Sequence, residues 1–346
     1  MNELPKTMKA AYLIGQMQIE VREIALPIIP RGGALLKVDA CGLCGSDINR
    51  IKFTESNEQR VIGHEVAGVV VAVDDDSCQF QVGDRIAVGH VHIPCGHCSY
   101  CRQGSPAMCH QFKKSHISPG GYAEYISLTA DHLAHTCVRI PDGVTFAQAT
   151  FLDPVACCLR GLQQVKAAPF DHIAIIGAGI MGQIFVQLLK DMGCHSYLFD
   201  ISDARLEIGK EYGANHVFNS RDLSVFSKLP ELTGGRGADS VILTFLTQEL
   251  LDASMSYSRD GAKLCMFAPP IREHELKLNF FDFFRREMHM MGSYSSSVND
   301  LETTMNYIAS KRVNVESMIT QYSDLDGMLS AVRNLDDKQL KVIIRP

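Results

Sequence analysis

Two different patterns of apolar and polar residues follow one another along the chain. Residues 1–150 contain short β-like runs, such as ALLKVDA, VAGVVVAV and DRIAVG, which Gly, Pro and Asp interrupt, and no long amphipathic helix. From residue 172 onward, apolar runs of four to seven residues alternate with helical stretches, which is typical of a parallel sheet covered on both faces. The first half predicts a mostly β domain, and the second half predicts an α/β domain.

Six apolar runs in the second half predict six parallel strands, namely HIAIIG, SYLFD, HVFN, DSVILTF, KLCMFA and HMMGSY. With crossover helices between them, they describe a doubly wound, nucleotide-binding sheet. After about residue 295, a helix-strand-helix-strand passage ends in KVIIRP and is expected to return to the first domain. The predicted domains are therefore 1–155, 156–294 and the return over 295–346. The stretch FFDFFRREM predicts a helix end that lies in the core or at a subunit contact.

Four cysteines lie close together in the first half, at steps of three, three and eight residues: Cys95, Cys98, Cys101 and Cys109. This spacing lets one short loop, about residues 90–115, wrap a single tetrahedral zinc ion. Four thiolates leave no open coordination position, so the site is structural and performs no chemistry. Disulfides and a nucleic-acid-binding finger are the alternative interpretations.

Composition and charge weigh against both alternatives. The 346 residues carry a net charge of -6, and the cysteine loop has only Arg102, with Lys113 and Lys114 after it, so no nucleic-acid partner is expected. The sequence shows neither a signal segment nor a run of eighteen apolar residues, which predicts a cytoplasmic protein with no membrane partner. Thiols stay reduced in that compartment, which favours a metal over disulfides.

A glycine-rich turn follows the first strand of the α/β half and leads into a helical stretch. Gly177 permits the tight turn, Gly179 lets backbone amides approach a pyrophosphate, and Gly182 lets the helix pack closely on the strand. Ile180 and Met181 lie between these glycines, at the helix N-terminus that would face the phosphates. This context, and not the glycines alone, predicts dinucleotide binding.

An acidic residue, Asp200, ends the second predicted strand. Its carboxylate would accept hydrogen bonds from the adenosine ribose and repel a 2′-phosphate, which favours NAD over NADP. Arg205 lies five residues further on and could flank the adenosine. A solvated helix arginine is an equally good interpretation of Arg205, and NADP therefore stays open as the alternative coenzyme.

A coenzyme that accepts hydride and a structural zinc together prompt a search for a second, open metal site. Cys44 in CGLCGSD and the pair His64 and Glu65 in VIGHEVAG offer a thiolate, an imidazole and a carboxylate. A lone histidine is more often structural, but the pairing with Cys44 and nearby carboxylates favours a ligand.

These motifs, together with GGYAEY and GAGIMG, resemble the zinc-dependent medium-chain dehydrogenase family over nearly the whole chain. The resemblance implies a GroES-like, mostly β catalytic domain, a Rossmann domain and two zinc ions per chain. It also implies that Cys44, and not Cys41, binds the catalytic zinc with His64. Glu65 and Asp153 in FLDPVACC occupy the two positions that alternate as direct or water-bridged ligands in polyol dehydrogenases. Association into a homodimer or homotetramer is implied by resemblance alone.

The chain departs from the family pattern at two positions. Residue 153 is aspartate where most sorbitol-like enzymes have glutamate, so Asp153 is expected to hold a water on the metal or to bind it after a backbone shift. Asp153 could also cap the helix ahead of Pro154. Asn49 stands where classical members have a histidine, so Ser46 is expected to take the substrate proton and pass it to the coenzyme ribose, with a water or a distant group as the last acceptor. Asp47 is expected to orient a metal ligand.

The motifs therefore predict an NAD-dependent enzyme that oxidises a secondary alcohol to a ketone. A polyol, sugar-alcohol phosphate or cyclitol is favoured because Ser46, Glu65 and Asp153 make the metal surroundings polar and few aromatic residues lie near the motifs. Arg50, Lys52 and Arg60 are candidate phosphate anchors, although a solvated loop explains them as well. L-threonine 3-dehydrogenase is the alternative enzyme, and a non-catalytic nucleotide-binding or scaffold protein is the alternative from another class.

Overall fold

The computed structural model describes residues 4–54, 59–75, 78–268 and 275–346. These residues belong to two compact units. The first contains Met1–Ala156 and Ser296–Pro346, and the second contains Cys157–Ser295. None of the helices in the described ranges combines the length and the apolar composition that a bilayer crossing needs.

The strands of the described residues are, in chain order, β1 (Thr7–Gly15), β2 (Gln18–Ala25), β3 (Ala34–Gly42), β4 (Arg60–Val61), β5 (Glu65–Val73), β6 (Arg85–Val88), β7 (Tyr125–Leu128), β8 (Cys137–Arg139), β9 (His172–Ile176), β10 (His195–Asp200), β11 (His216–Asn219), β12 (Ala238–Leu243), β13 (Ser258–Met266), β14 (His289–Gly292), β15 (Ile319–Ser323) and β16 (Lys341–Ile344). The α-helices are α1 (Gly45–Phe53), α2 (Ser99–Arg102), α3 (Ala130–His135), α4 (Phe146–Ala149), α5 (Leu152–Val165), α6 (Ile180–Asp191), α7 (Asp203–Tyr212), α8 (Lys228–Leu232), α9 (Gln248–Ser256), α10 (Phe280–Arg285), α11 (Leu301–Ala309) and α12 (Met328–Arg333). Short 3-10 turns cover Pro106–Met108, Leu223–Ser227, Val298–Asp300 and Glu316–Met318.

The first unit is mostly β. Its larger sheet has the order β15-β16-β3-β5-β6-β8, with β7 also paired to β3, and its smaller sheet has the order β2-β1-β4. Both β5 and β16 pair antiparallel with the end of β3, where Gly42 lies opposite Glu65 and Ile343. This double pairing brings residues from three distant stretches of the chain to one edge of the sheet.

The second unit contains one six-stranded sheet of the order β11-β10-β9-β12-β13-β14, and all of its pairs are parallel. The six predicted strands are confirmed. Every residue of β12 is buried, as expected when helices cover both faces of a parallel sheet. Because parallel strands end at the same edge, Gly177 after β9 and Asp200 at the end of β10 lie on the edge where doubly wound sheets bind ligands.

The stretch FFDFFRREM lies only partly in the core, and its role as a subunit contact stays a prediction. Phe280, Phe281 and Phe284 on α10 are 72%, 72% and 82% exposed, and α10 has no buried residue. The helix is only six residues long, and its N-cap is Asn279, whose side chain accepts hydrogen bonds from two backbone amides. Phe283 packs against the core of the second unit and Met288 after the helix is buried, whereas the other three phenylalanines remain on the surface of this chain.

Candidate metal and coenzyme sites

The structure brings Cys44, His64 and Glu65 together, with one ligand atom from each lying within 4.8 Å of the others. Cys44 is the N-cap residue of α1, and Glu65 is the first residue of β5. The antiparallel pairing of β3 with β5 places the turn after Gly42 beside the turn before Glu65. One thiolate, one imidazole and one carboxylate form a donor set that suits zinc and leaves a fourth position open.

Helix α1 begins directly at this cluster. The Cys44 carbonyl accepts hydrogen bonds from the amides of Asp47 and Ile48, at 3.0 Å each, so the first turn of the helix fixes the backbone of Cys44. The positive end of the helix dipole lies there and favours a negatively charged ligand. Ser46 is exposed in the same turn, so its hydroxyl is accessible beside the cluster.

A buried carboxylate and a buried hydroxyl lie behind His64. His64 Nδ1 is 3.5 Å from Asp47 Oδ2, and Tyr122 Oη donates a hydrogen bond of 2.8 Å to the same oxygen. Burial alone would lower the pKa of His64, but the negative charges of Asp47 and Cys44 raise it well above its ordinary value. Burial alone would raise the pKa of Asp47, but His64 and the Tyr122 hydroxyl lower it. Because Nδ1 faces Asp47, Nε2 is the ring nitrogen available to a metal.

Glu65 forms a buried ion pair with Lys341 of β16. The two side chains are 1% and 2% exposed, and Lys341 Nζ contacts Glu65 Oε2. Burial alone would lower the pKa of Lys341, but the charge and hydrogen bond of Glu65, together with the charges of Cys44 and Asp153, raise it. Gly42 leaves the space for the pair, because a Cβ at that position would overlap Glu65 Oε2. Glu65 is therefore both a member of the cluster and the partner of a buried cation.

Asp153 is not part of the three-residue cluster. It lies partly buried in the first turn of α5, which begins one residue earlier at Leu152, so Asp153 is inside the helix and not at its cap. Its charge does reach the site, because it contributes to the raised pKa of Lys341. Asn49, which carries no titratable group, is exposed on α1.

The four cysteines of the loop, Cys95, Cys98, Cys101 and Cys109, also converge, with their Sγ atoms within 4.8 Å of one another. None of the twelve cysteines forms a disulfide, so the disulfide alternative finds no support. The amides of Cys95 and Cys98 donate to Cys109 Sγ and Cys95 Sγ, at 3.4 Å each. Burial raises the pKa of Cys109, but the surrounding backbone amides outweigh it and lower the value to about 6. Amides aimed at thiolates fit a four-sulfur zinc site.

In the second unit, the three glycines of GAGIMG have different surroundings. Gly177 has φ +102°, and a Cβ there would overlap Thr244 Oγ1. Nothing among the described residues lies within 4 Å of a Cβ built on Gly179, which is the N-cap of α6. A Cβ on Gly182 would overlap the carbonyl oxygen of Gly177. The result is an open cradle at a helix N-terminus, which fits a pyrophosphate.

The remaining predicted coenzyme residues lie around this cradle. Asp200 Oδ2 accepts a hydrogen bond of 2.6 Å from the Ala178 amide, and Oδ1 accepts one of 2.8 Å from the Ser202 amide. The carboxylate is thus held beside the glycine turn at the carboxyl end of β10. The other members are partly exposed side chains on the first turns of α6 and α7, namely Ile180, Met181 and Arg205.

Sequence reasoning missed three residues that shape these sites. Lys341 begins the apolar run KVII, and a lysine in a buried strand needs an acidic partner, so a signal was present. Tyr122 was visible only as part of the GGYAEY motif, and Thr244 followed an apolar run without any distinguishing pattern. Neither the lysine in the apolar run nor the GGYAEY motif indicated which residue its side chain would contact.

Comparison with known families gives two matches that follow the fold. Residues 30–142 match the alcohol dehydrogenase GroES-like domain, and residues 181–310 match the zinc-binding dehydrogenase family. Together the two matches cover more than half of the chain. The predicted fold class, a GroES-like domain with a Rossmann-type parallel sheet, is confirmed.

Relatives match over nearly the full length of the chain. Sorbitol dehydrogenase from Bacillus subtilis is 29% identical, over 99% of this chain and 98% of its own. A zinc-binding dehydrogenase from Sinorhizobium meliloti, solved with NADP, is 25% identical with a TM-score of 0.88, over 99% and 100% of the two chains. Galactitol-1-phosphate dehydrogenase from Escherichia coli has a TM-score of 0.85 at 24% identity, over 98% and 100%, and at that identity it shows the shared fold only. From both domain matches and these relatives we conclude that the chain belongs to the zinc-type medium-chain alcohol dehydrogenase family.

Proposed function

We propose that the protein oxidises a secondary alcohol of a polyol, sugar-alcohol phosphate or cyclitol to the ketone, with NAD as acceptor and two zinc ions per chain. The observation that carries this proposal is the convergence of Cys44, His64 and Glu65 into one open, three-ligand cluster. The closed cluster of four cysteines supports a second, structural zinc. We further propose the domain limits 1–155, 156–294 and 295–346 and a cytoplasmic location. A homodimer or homotetramer is proposed because the family resemblance implies it.

Cys44 and His64 would hold the catalytic zinc, with Glu65 as the third ligand in the observed arrangement. Asp153 lies outside the cluster, which supports a water-bridged role for its shorter side chain. When bound, zinc would supply the Lewis-acid chemistry that lowers the pKa of an alcohol hydroxyl, and the nicotinamide would accept the hydride.

The proton of the substrate hydroxyl would pass to Ser46 Oγ, which is exposed in the first turn of α1 beside Cys44. Asn49 on the same helix has no titratable group, so it cannot take the proton onward. The acceptor after Ser46 would therefore be the coenzyme ribose when NAD is bound, followed by water or by a group distant in sequence. Asp47 and Tyr122 are buried on the side of His64 away from the cluster, so they would not meet the substrate.

Polar surroundings favour a substrate with several hydroxyl groups. Ser46 and Asp153 offer hydrogen-bonding groups near the metal cluster, and both are accessible to some degree. Arg50 is exposed on α1, the helix that begins after Cys44, which makes it a candidate anchor for a substrate phosphate. The names of two similar proteins, sorbitol dehydrogenase and galactitol-1-phosphate dehydrogenase, agree with this substrate class.

NAD is proposed over NADP because of Asp200. Its carboxylate is fixed by the amides of Ala178 and Ser202 beside the glycine cradle. A fixed negative charge there would accept hydrogen bonds from the two ribose hydroxyls and repel a 2′-phosphate. Arg205 is partly exposed nearby on α7 and would contact the adenosine side of the coenzyme.

The test is NADH formation by the zinc-loaded protein on polyols, polyol phosphates, cyclitols and L-threonine, with NADP in parallel. We expect turnover on a member of the first three groups with NAD. Cys44→Ala should abolish turnover while NAD binding persists, and Cys41→Ala, a buried cysteine three residues away, serves as the matched control. Activity on threonine alone would establish the alternative enzyme. Silence on every substrate despite bound NAD and two zinc ions would contradict the proposal.

A further inference from the structure

We propose that Tyr122 is a positioning residue for the candidate zinc ligand His64 and that it acts through Asp47. The inference rests on the proposed function, since it concerns the proposed catalytic zinc site. It adds a residue on the far side of the ligand, one that touches neither metal nor substrate.

The three side chains form a continuous chain of contacts. Tyr122 Oη donates to Asp47 Oδ2 at 2.8 Å, and the same oxygen is 3.5 Å from His64 Nδ1. Tyr122 and Asp47 are both 0% exposed, so water cannot replace either contact. The hydroxyl also lies 3.2 Å from the carbonyl oxygen of Gly42. Its single proton is best used on the closer, charged acceptor.

Asp47 depends on this hydroxyl for its orientation. Its other oxygen, Oδ1, is buried and has no hydrogen-bond partner among the residues that the structure describes. The carboxylate is therefore held through Oδ2 alone, by the Tyr122 hydroxyl on one side and the His64 ring on the other. Without the hydroxyl, the carboxylate could rotate about its side-chain bonds and turn away from Nδ1.

Tyr122 is itself fixed rigidly to the segment that carries His64. The Tyr122 amide donates to the Ile62 carbonyl at 3.0 Å, and the Gly121 amide donates to the Gly63 carbonyl at 2.9 Å. The tyrosine ring lies directly on Gly63, where three ring atoms would be 3.0 Å from an added Cβ. Gly63 has φ +96°, a conformation that glycine adopts readily. The ring therefore sets the distance between the Gly63-His64 backbone and Asp47.

A hydrogen-bond partner on the free nitrogen of a metal-bound imidazole orients the ring and strengthens the ligand, and losing such a partner typically weakens metal binding by about 10–100-fold. Tyr122 acts one contact further out. We therefore expect Tyr122→Phe, which keeps the ring on Gly63 and removes only the hydroxyl, to weaken zinc binding at the Cys44 and His64 site by about tenfold.

The experiment is competitive zinc titration with a chromogenic chelator on the full chain, in which the four-cysteine zinc is an internal reference. Tyr122→Phe should loosen the open-site zinc, while the affinity of the reference zinc stays unchanged. Tyr125→Phe, which removes a hydroxyl three residues further on, is the matched control and should change neither site. Asp47→Asn combined with Tyr122→Phe should be no weaker than Asp47→Asn alone, because both changes break the same chain of contacts.

Three results would overturn the inference: equal affinity in Tyr122→Phe and the unmodified protein, equal weakening at both zinc sites, or effects of Asp47→Asn and Tyr122→Phe that simply add. Failure of the proposed function has a different result. In that case the unmodified protein binds one zinc only, and Cys109→Ser removes it while Cys44→Ala does not. Two zinc ions in the unmodified protein with an unchanged Tyr122→Phe reject this inference alone.

Discussion

Lys341→Met removes the positive half of the buried ion pair at the candidate zinc site. Lys341 and Glu65 are 2% and 1% exposed, so the remaining carboxylate can recruit no solvent. The methionine fills the volume of the lysine stem, and the change therefore isolates the charge. Removing one partner of a buried pair costs about 3–5 kcal/mol, because the other charge stays buried and uncompensated.

The environment of the pair supports a value in the upper part of that range. Lys341 Nζ also lies 5.6 Å from the centre of the Phe151 ring, a cation-π contact that is lost as well. Gly42 packs against both side chains, so the site has little room to relax. For a unit of this size, each kcal/mol shifts the melting temperature by about 2–4 °C.

The assay is urea unfolding followed by circular dichroism, with and without zinc. We expect the free energy of unfolding to fall by about 3–5 kcal/mol in the zinc-free protein. The loss should be smaller with zinc, since the metal offers Glu65 another cation. The double variant Glu65→Gln with Lys341→Met should be more stable than Lys341→Met alone, because no charge then remains buried. A single variant within about 1 kcal/mol of the unmodified protein, or a double variant that is no better than the single one, would refute the reasoning.

Other sites give three further expectations. Cys109→Ser should reduce the zinc content from two ions per chain to one, measured by elemental analysis, and retention of both would contradict a four-sulfur site. Asp200→Ala should lower the ratio of kcat/KM for NAD to that for NADP by about 10–100-fold, because charged hydrogen bonds to the ribose are lost; an unchanged ratio would remove Asp200 from coenzyme selection. Burial raises the pKa of Asp239, but the His172 amide and Arg259 outweigh it and lower the value below the ordinary 3.8. That stabilisation is present above pH 3.8 and is lost as the pH falls through the lower folded value. Asp239→Asn should therefore destabilise the protein by about 2 kcal/mol at neutral pH, with a deficit that shrinks below pH 3.8 in urea unfolding, and a deficit independent of pH would contradict it.

Local patterns in the sequence determined a large part of this protein. Runs of apolar residues are enough to predict the six strands of the parallel sheet, because strands buried on both faces need no partner information to be recognised. The glycine turn is equally recognisable, since the spacing of Gly177, Gly179 and Gly182 between a strand and a helix is a local pattern, although the contact of Gly177 with Thr244 is not local. The short spacing of the four loop cysteines indicates that they are neighbours before any fold is known. In each case the sequence pattern that carries the prediction spans few residues.

Tertiary structure alone decided the partners of the open site. Asp47 and Tyr122 are 75 residues apart in the chain, and Lys341 reaches Glu65 only because β3 pairs with both β5 and β16. The register of the sheet determines which of these side chains come into contact. Register depends on all strands at once, so it cannot be read from the periodicity of one segment. The phenylalanines of α10 illustrate the same point, since their crowding predicted a place in the core or at a subunit contact but not that only Phe283 would pack against the core of this chain. The sequence by itself therefore determined which elements form and which residues carry chemistry, whereas the packed sheet decided which charges lie together.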